Sequence, residues 1–355
     1  MLRSGLLRLS LSLSILLGIA TLTAQETDTP PATAKPAPGN RIVCDLPAPE
    51  LPFFRADDGR VPANWARAGA PEEAGVPDGD LRTTALTALA IIADGSTLRS
   101  GPHKEHLKAT IRWLRAQQDD EGRFGLRTDS AWWLDEAITT YAIGEAGRVS
   151  SYALLQRNFE SGVGALTNHL RHLERNVDPE LLLWCRLSVL AGIQYEERIA
   201  QAQKNADAPP WDSGVKALDA EIRRLTTESI PSEDRARAAR LLLELRSERA
   251  PDPEFVAALR PAFVLDDRSL EDVDPLALLY ATTASYLEGA PSWQPLQRRL
   301  KDSIVASQST DKGTRQTWAP QGEFGARYGR NGMTAARIMV LCLYYRYSAL
   351  VMAGN

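Results

Sequence analysis

The 355-residue sequence has little cysteine, little histidine and no basic run, and each shortage removes a class of function. Cys44, Cys185 and Cys342 are too few and too scattered for a disulfide framework. They allow one bridge, with one thiol left over. Cys185 and Cys342 stand in apolar helical stretches, which predicts buried, inert thiols. The four histidines form two pairs, His103/His106 and His169/His172. Spacing of i, i+3 puts two imidazoles on one helix face, where they could ligate a metal. His103 follows Gly101-Pro102, and His169 and His172 sit among Arg171, Glu174 and Arg175, so solvated surface is the expectation instead. No metal and no other cofactor is expected. A formal charge of −4 and the absence of a Lys/Arg tract exclude the electrostatic footprint of a nucleic-acid binder.

Long apolar runs are also lacking. The longest begins at Leu9 and falls short of the roughly 20 residues that a membrane-spanning helix needs, so no integral membrane segment is expected in the mature chain. That run, preceded by Arg3 and Arg8 and followed by the small-residue stretch ending at Ala24, has the form of a signal peptide over 1–24, though Ala20 also suits cleavage. Export to a periplasm or the extracellular space is the expectation. No cysteine lies at the cleavage point, so a lipid anchor is not indicated. Residues 25–40 are a Pro/Thr/Ala linker with nothing to bury, and disorder is expected there. Over 41–79, prolines at 47, 49, 52, 62, 71 and 77 forbid long helices. This predicts an extended arm anchored by Leu51, Phe53, Phe54 and Trp65.

From Asp80 onward the apolar spacing is helical with little strand signal. Segments at 81–92, 106–118, 132–147, 151–174, 178–193, 213–228, 232–248, 253–264, 274–288, 292–308 and 332–352 predict about eleven helices. An all-α repeat domain over 80–355 follows, because a single hairpin cannot bury its apolar face. The repeat is visible in Asp178-Pro-Glu-Leu-Leu-Leu-Trp and Asp274-Pro-Leu-Ala-Leu-Leu-Tyr, offset by 96 residues. Asp followed by Pro at the first helical position reads as a helix start, with the carboxylate capping free backbone N–H groups. A second correspondence joins Trp113 to Phe124 with Ile304 to Trp318. In each, a helix ends in Gln, an acidic turn and Gly before an aromatic.

Gln118-x3-Gly122-x-Phe124 resembles the QW motif of the squalene-cyclase and prenyltransferase repeat family, with Phe in place of the usual Trp. Gln308 to Trp318 is a looser copy. The stretches beginning at Thr84, Asp135 and Thr334 look like that family's inner helices. The resemblance covers about 80–352 and is strongest at 80–147 and 300–350. It implies an α/α toroid of about five to six helical hairpins, with inner helices around a central cavity and outer helices around them. The same family's chemistry is not implied. Its class II cyclases protonate an alkene with Asp-x-Asp-Asp, and neither Asp266-Asp267 nor Asp272-Val-Asp274 supplies that set. Its prenyltransferases hold zinc with Asp, Cys and His, and no such grouping occurs here. An aromatic share of 7% is also modest for a pocket that stabilises carbocations.

The densest polar and aromatic cluster is Trp132, Trp133, Asp135, Glu136 and Tyr141, at the head of a predicted inner helix. Trp faces can stack on sugars or apolar ligands, and carboxylates can act as acid and base. The plainer alternative is that acidic residues complement the helix dipole there. Asp135, Glu136 and Asp274 are the candidate catalytic groups. Trp132, Trp133 and Tyr141 are candidate binding residues. So are Arg327, Tyr328, Arg330 and Asn331, in a glycine-rich stretch read as a recognition loop before the last helix. The favoured reading is an exported, non-catalytic module that binds a lipid, glycan or protein through its cavity or rim. The alternative is a toroid enzyme (lyase, hydrolase or isoprenoid-processing) with a non-standard carboxylate site.

Overall fold

A computed structural model describes residues 58–63, 79–125, 132–174, 176–203, 212–247, 250–311 and 314–343. These all fall within the unit Ile42–Asn355. The expected leader, the linker, most of the arm, Cys44, Leu51, Phe53, Phe54 and Trp65 lie outside the described residues. The described chain is all-α, and its only β feature is an isolated bridge between Gln118 and Phe124. In order the helices are α1 (Asp80–Ala93), α2 (Lys104–Ala116), α3 (Trp132–Ser150), α4 (Gln156–Arg171), α5 (Pro179–Gln203) and α6 (Asp212–Leu225). There follow α7 (Asp234–Leu245), α8 (Pro253–Ala258), α9 (Ala262–Leu265), α10 (Pro275–Glu288), α11 (Ala290–Leu300) and α12 (Gly322–Cys342).

Two kinds of helix alternate along the chain. Every residue of α1 is buried, and α3, α10 and α12 are buried nearly throughout. Such helices have no polar stripe, so they must be covered on all sides. By contrast, α2 buries only Leu107, Thr110, Ile111 and Leu114, one face at i, i+3, i+4, i+7. The buried helices pack in a closed order of neighbours: α1 on α3, α3 on α5, α5 on α7, α7 on α10, α10 on α12, and α12 back on α1. The amphipathic ones pack against members of that series, α2 on α1 and α3, α4 on α3, α6 on α5, and α11 on α10. Cys185 and Cys342 are buried within it.

Three local differences from the expected helices have physical causes. The segment 253–264 is two short helices, because Pro261 lacks an N–H and disfavours helical backbone at Arg260. The segment 292–308 starts at Ala290 and turns into a π-helical turn over Lys301–Val305. The last helix starts at Gly322, so the expected glycine-rich loop is helical. Inside the helix Gly329 departs from helical backbone (φ 60°, ψ −163°), and it kinks α12.

The repeated sequence elements occupy equivalent places. The Asp274 carboxylate accepts the Leu276 and Ala277 N–H groups at 3.0 and 2.9 Å, and that of Asp178 accepts Glu180 N–H at 2.9 Å. The residues ending the two repeats touch, Trp184 Nε1 donating to the Tyr280 hydroxyl at 2.7 Å. The two Gln-to-aromatic loops also share a device. Phe124 N–H donates to Glu136 Oε2 at 2.6 Å, and Trp318 N–H to Thr334 Oγ1 at 3.3 Å. Each loop is thus held by a side chain of the buried helix that follows it. In the first loop Gln118 Nε2 donates to the carbonyls of Gly122 and Asn158, both at 2.9 Å. Gly122 has φ +85°, and a Cβ there would stand 2.4 Å from the Ser161 carbonyl oxygen.

Candidate functional site

A cavity of about 350 Å³ opens where buried helices begin. Its walls come from the N-terminal ends of α1 (Arg82), α3 (Trp133, Leu134), α5 (Leu181, with Asp178 just before it), α7 (Arg235) and α12 (Glu323, Phe324, Arg327, Tyr328). Helix N-termini carry partial positive charge, and carboxylates are favoured beside them. Asp135, Asp178, Glu180 and Asp274 all stand at such starts.

Two arginine networks floor the cavity. Arg82 forms a buried ion pair with Asp135 and stands 4.6 Å from the centre of the Tyr328 ring. Burial is the largest effect and pulls the Arg82 pKa down, but Asp135, together with smaller contributions from Tyr328 and Glu180, outweighs it and the net shift is upward. Arg235 Nε donates to Glu180 Oε2 at 2.8 Å, and Nη1 lies 3.7 Å from Asp274 Oδ2. Behind them the Tyr280 hydroxyl donates to Glu180 Oε1 at 2.5 Å while accepting Trp184 Nε1–H. Asp178 is different, being open to solvent within the cavity and giving a carboxyl oxygen only to the Glu180 N–H. Burial by the surrounding walls, and then the Glu180 charge, hold its pKa above the ordinary carboxylate value.

The aromatic wall is layered. Trp133 stacks on His169 with centroids 3.7 Å apart and planes 10° from parallel. On another side it meets Trp132 edge-on at 4.2 Å. Trp132 is anchored through Nε1 to the Phe124 carbonyl at 2.9 Å. His169 is therefore half-buried rather than on solvated surface, and its pKa is pushed down to about 4 by burial first and His172 second. Among the described residues no group of His, Cys, Asp and Glu could hold a metal ion.

Of the residues singled out from sequence, Trp133, Arg327 and Tyr328 line the cavity. Asp135 lies one link behind it through Arg82, and Asp274 one link behind through Arg235. Glu136 faces the other way. It is fully buried against Phe124 N–H, and burial raises its pKa to about 8. Tyr141 lies deeper on α3, its ring 5.5 Å from that of Trp184. Arg330 and Asn331 are buried rather than exposed by the glycines, because α12 already turns them inward. Arg330 donates to Thr317 Oγ1 and Asn331 to the Pro62 carbonyl, both at 2.9 Å.

Arg82, Arg235 and Glu180 belong to the site without figuring among the sequence candidates, and Asp178, expected as a cap, also lines the cavity. A signal existed for Arg82, the one cation in a helix that is buried throughout. Arg235 carried none, since its partners are 55 and 39 positions away. No protein-family model matches the chain, and no curated protein or solved structure matches it significantly.

Proposed function

We propose that the chain is an exported, non-catalytic α/α toroid of the squalene-cyclase and prenyltransferase repeat type, and that it binds a saccharide in the cavity at the helix starts. The closed order of neighbours supports the toroid, with α1, α3, α5, α7, α10 and α12 as inner helices and α2, α4, α6 and α11 outside them. The leader-like 1–24 supports export. The absence of catalysis rests on where the carboxylates are engaged. Asp135 is paired with Arg82, Glu136 holds the Phe124 N–H, and Asp274 caps α10.

The observation that carries the ligand class is the cavity wall. Trp133, Phe324 and Tyr328 stand among three guanidinium groups and two carboxylates, those of Arg82, Arg235, Arg327, Asp178 and Glu323. An isoprenoid tail would leave those charges desolvated beside it, a heavy cost. A sugar ring instead lays its C–H face on an aromatic and gives its hydroxyls to charged side chains. The volume lies at the lower end of the roughly 300–1,000 Å³ typical of small-ligand sites, suited to one or two sugar units and too small for a protein segment of any length.

Calorimetric titration of the mature protein against a panel of neutral and acidic oligosaccharides tests this. Binding by at least one class is expected, weakened about tenfold or more in Trp133→Ala, a loss of about 1.4 kcal/mol, with little change in Tm. No binding at millimolar sugar, or a stoichiometric isoprenoid in the organic extract, overturns it. One observation favours the enzyme alternative: Asp178 is an accessible carboxyl whose pKa is raised by burial, as suits a general acid. Turnover of a bound saccharide that is abolished by Asp178→Asn, with Tm preserved, would establish that reading instead.

A further inference from the structure

Arg246 follows the last turn of α7 as its C-cap and is 4% exposed. Its Nε, Nη1 and Nη2 atoms are all buried, and none has a hydrogen-bond partner. Among the described residues no carboxylate acts on Arg246, and the one that meets its neighbour Arg186 is fully engaged. Asp219 takes Arg186 Nη1 at 2.5 Å on one oxygen and Arg223 Nε at 2.8 Å on the other. Arg186 spends its Nε on the Arg246 carbonyl at 3.0 Å. Burial lowers the Arg246 pKa to about 10, with Tyr141 raising it and Arg186 lowering it in turn. The side chain is therefore a cation at neutral pH.

A buried guanidinium with no partner is among the costliest arrangements a fold can hold, and native interiors pair such groups. Three unmatched donor atoms in one planar fork fit the two oxygens of a carboxylate, phosphate or sulfate, which a guanidinium binds through parallel hydrogen bonds. We infer that Arg246 is the anchor of an internal binding site for a small oxyanion at the C-terminal end of α7. The site is separate from the saccharide cavity and does not rest on that reading. Arg235, on the cavity wall, precedes Arg246 by eleven residues, about 16 Å along the helix axis. The charged or titratable groups that bear on Arg246 are Tyr141 of α3 and Arg186 of α5, so the surroundings hold more positive charge than negative.

Thermal unfolding of the mature protein is followed in dilute chloride buffer while phosphate, sulfate or acetate is added at millimolar concentration with ionic strength held constant by chloride. At these concentrations exclusion of salt from the protein surface is negligible. A saturable rise of about 5 °C at a hundredfold excess over Kd is expected for at least one oxyanion, and no rise with chloride. Arg246→Met keeps the stem and removes the fork, so it loses the response while melting no lower than the anion-free wild type. Equal responses to chloride and oxyanions overturn the site, as does a rise that persists in Arg246→Met. Equilibrium dialysis of the wild-type protein with inorganic phosphate, with sulfate and with acetate needs no variant. One bound anion per chain supports the site, and failure of all three to bind overturns it.

Discussion

Replacing Glu136 by glutamine removes a proton equilibrium while keeping a hydrogen-bond acceptor in place. The carboxyl is fully buried, its pKa is about 8 against an ordinary 4.5, and the cause is burial, with Phe124 N–H and Thr140 opposing it and Asp119 reinforcing it. The folded state therefore holds this proton more tightly than the unfolded chain. Stability from the neutral acid is fully present below pH 4.5 and is lost as pH rises through about 8. Each pH unit in that window costs about 1.4 kcal/mol, so the whole interval costs about 5 kcal/mol. In the neutral acid one oxygen still accepts the Phe124 N–H, and the glutamine carbonyl can do the same. Glu136→Gln should thus match the wild type at pH 5 to within about 1 kcal/mol. At pH 9 it should melt about 8 °C higher. Other carboxyls with raised pKa values, such as Asp178 and Asp274, titrate alike in both proteins and cancel in the difference. Differential scanning calorimetry from pH 5 to 9 reads it directly. Parallel Tm profiles for the two proteins would refute the reasoning, because Glu136 would then titrate as it does in the unfolded chain.

The Arg82–Asp135 pair gives a second expectation: Arg82→Met leaves a carboxylate in the interior without its guanidinium and should cost about 3–5 kcal/mol in urea denaturation. The double variant Arg82→Met/Asp135→Leu should recover more than half of that, and strictly additive losses would show that the two charges do not depend on each other. Gly122→Ala should destabilise by about 2 kcal/mol or more, since the left-handed backbone and the Ser161 carbonyl both oppose a side chain there. An alanine variant with wild-type urea midpoint would mean that the Gln118–Phe124 loop is free to shift.

Much of the helix order could be read from apolar spacing, because buried and amphipathic helices differ in composition along the chain itself. Asp178 and Asp274 could be read as caps for the same reason, since a cap acts within three residues of its own position. The glycine-rich stretch before Asn331 was not legible. Glycine disfavours a helix locally, but Phe324 and Tyr328 bury against the domain, and that gain outweighs the propensity. The cavity was only partly legible. Trp133, Arg327 and Tyr328 reach it, while Glu136, next in sequence to Asp135, points to a loop instead. Adjacent positions on a helix lie about 100° apart, so a cluster dense in sequence divides between two faces. Arg235 and Glu180 meet across 55 positions, and no local pattern announces such a pairing.

The contact between α1 and α12 has a kinetic consequence. Thr83 reaches the Tyr328 carbonyl and Asn331 reaches that of Pro62, across 245 and 269 residues. Neither bond can form until nearly the whole chain has been made. A nascent chain that has released only its first helices has no partner for the flank of α1 that faces α12, although every residue of α1 is buried in the folded domain. Until the last helix arrives, that flank is free to pair with the corresponding helix of another copy. The slowest step of folding, and the one most exposed to exchange between molecules, is therefore expected where the two ends of the chain meet.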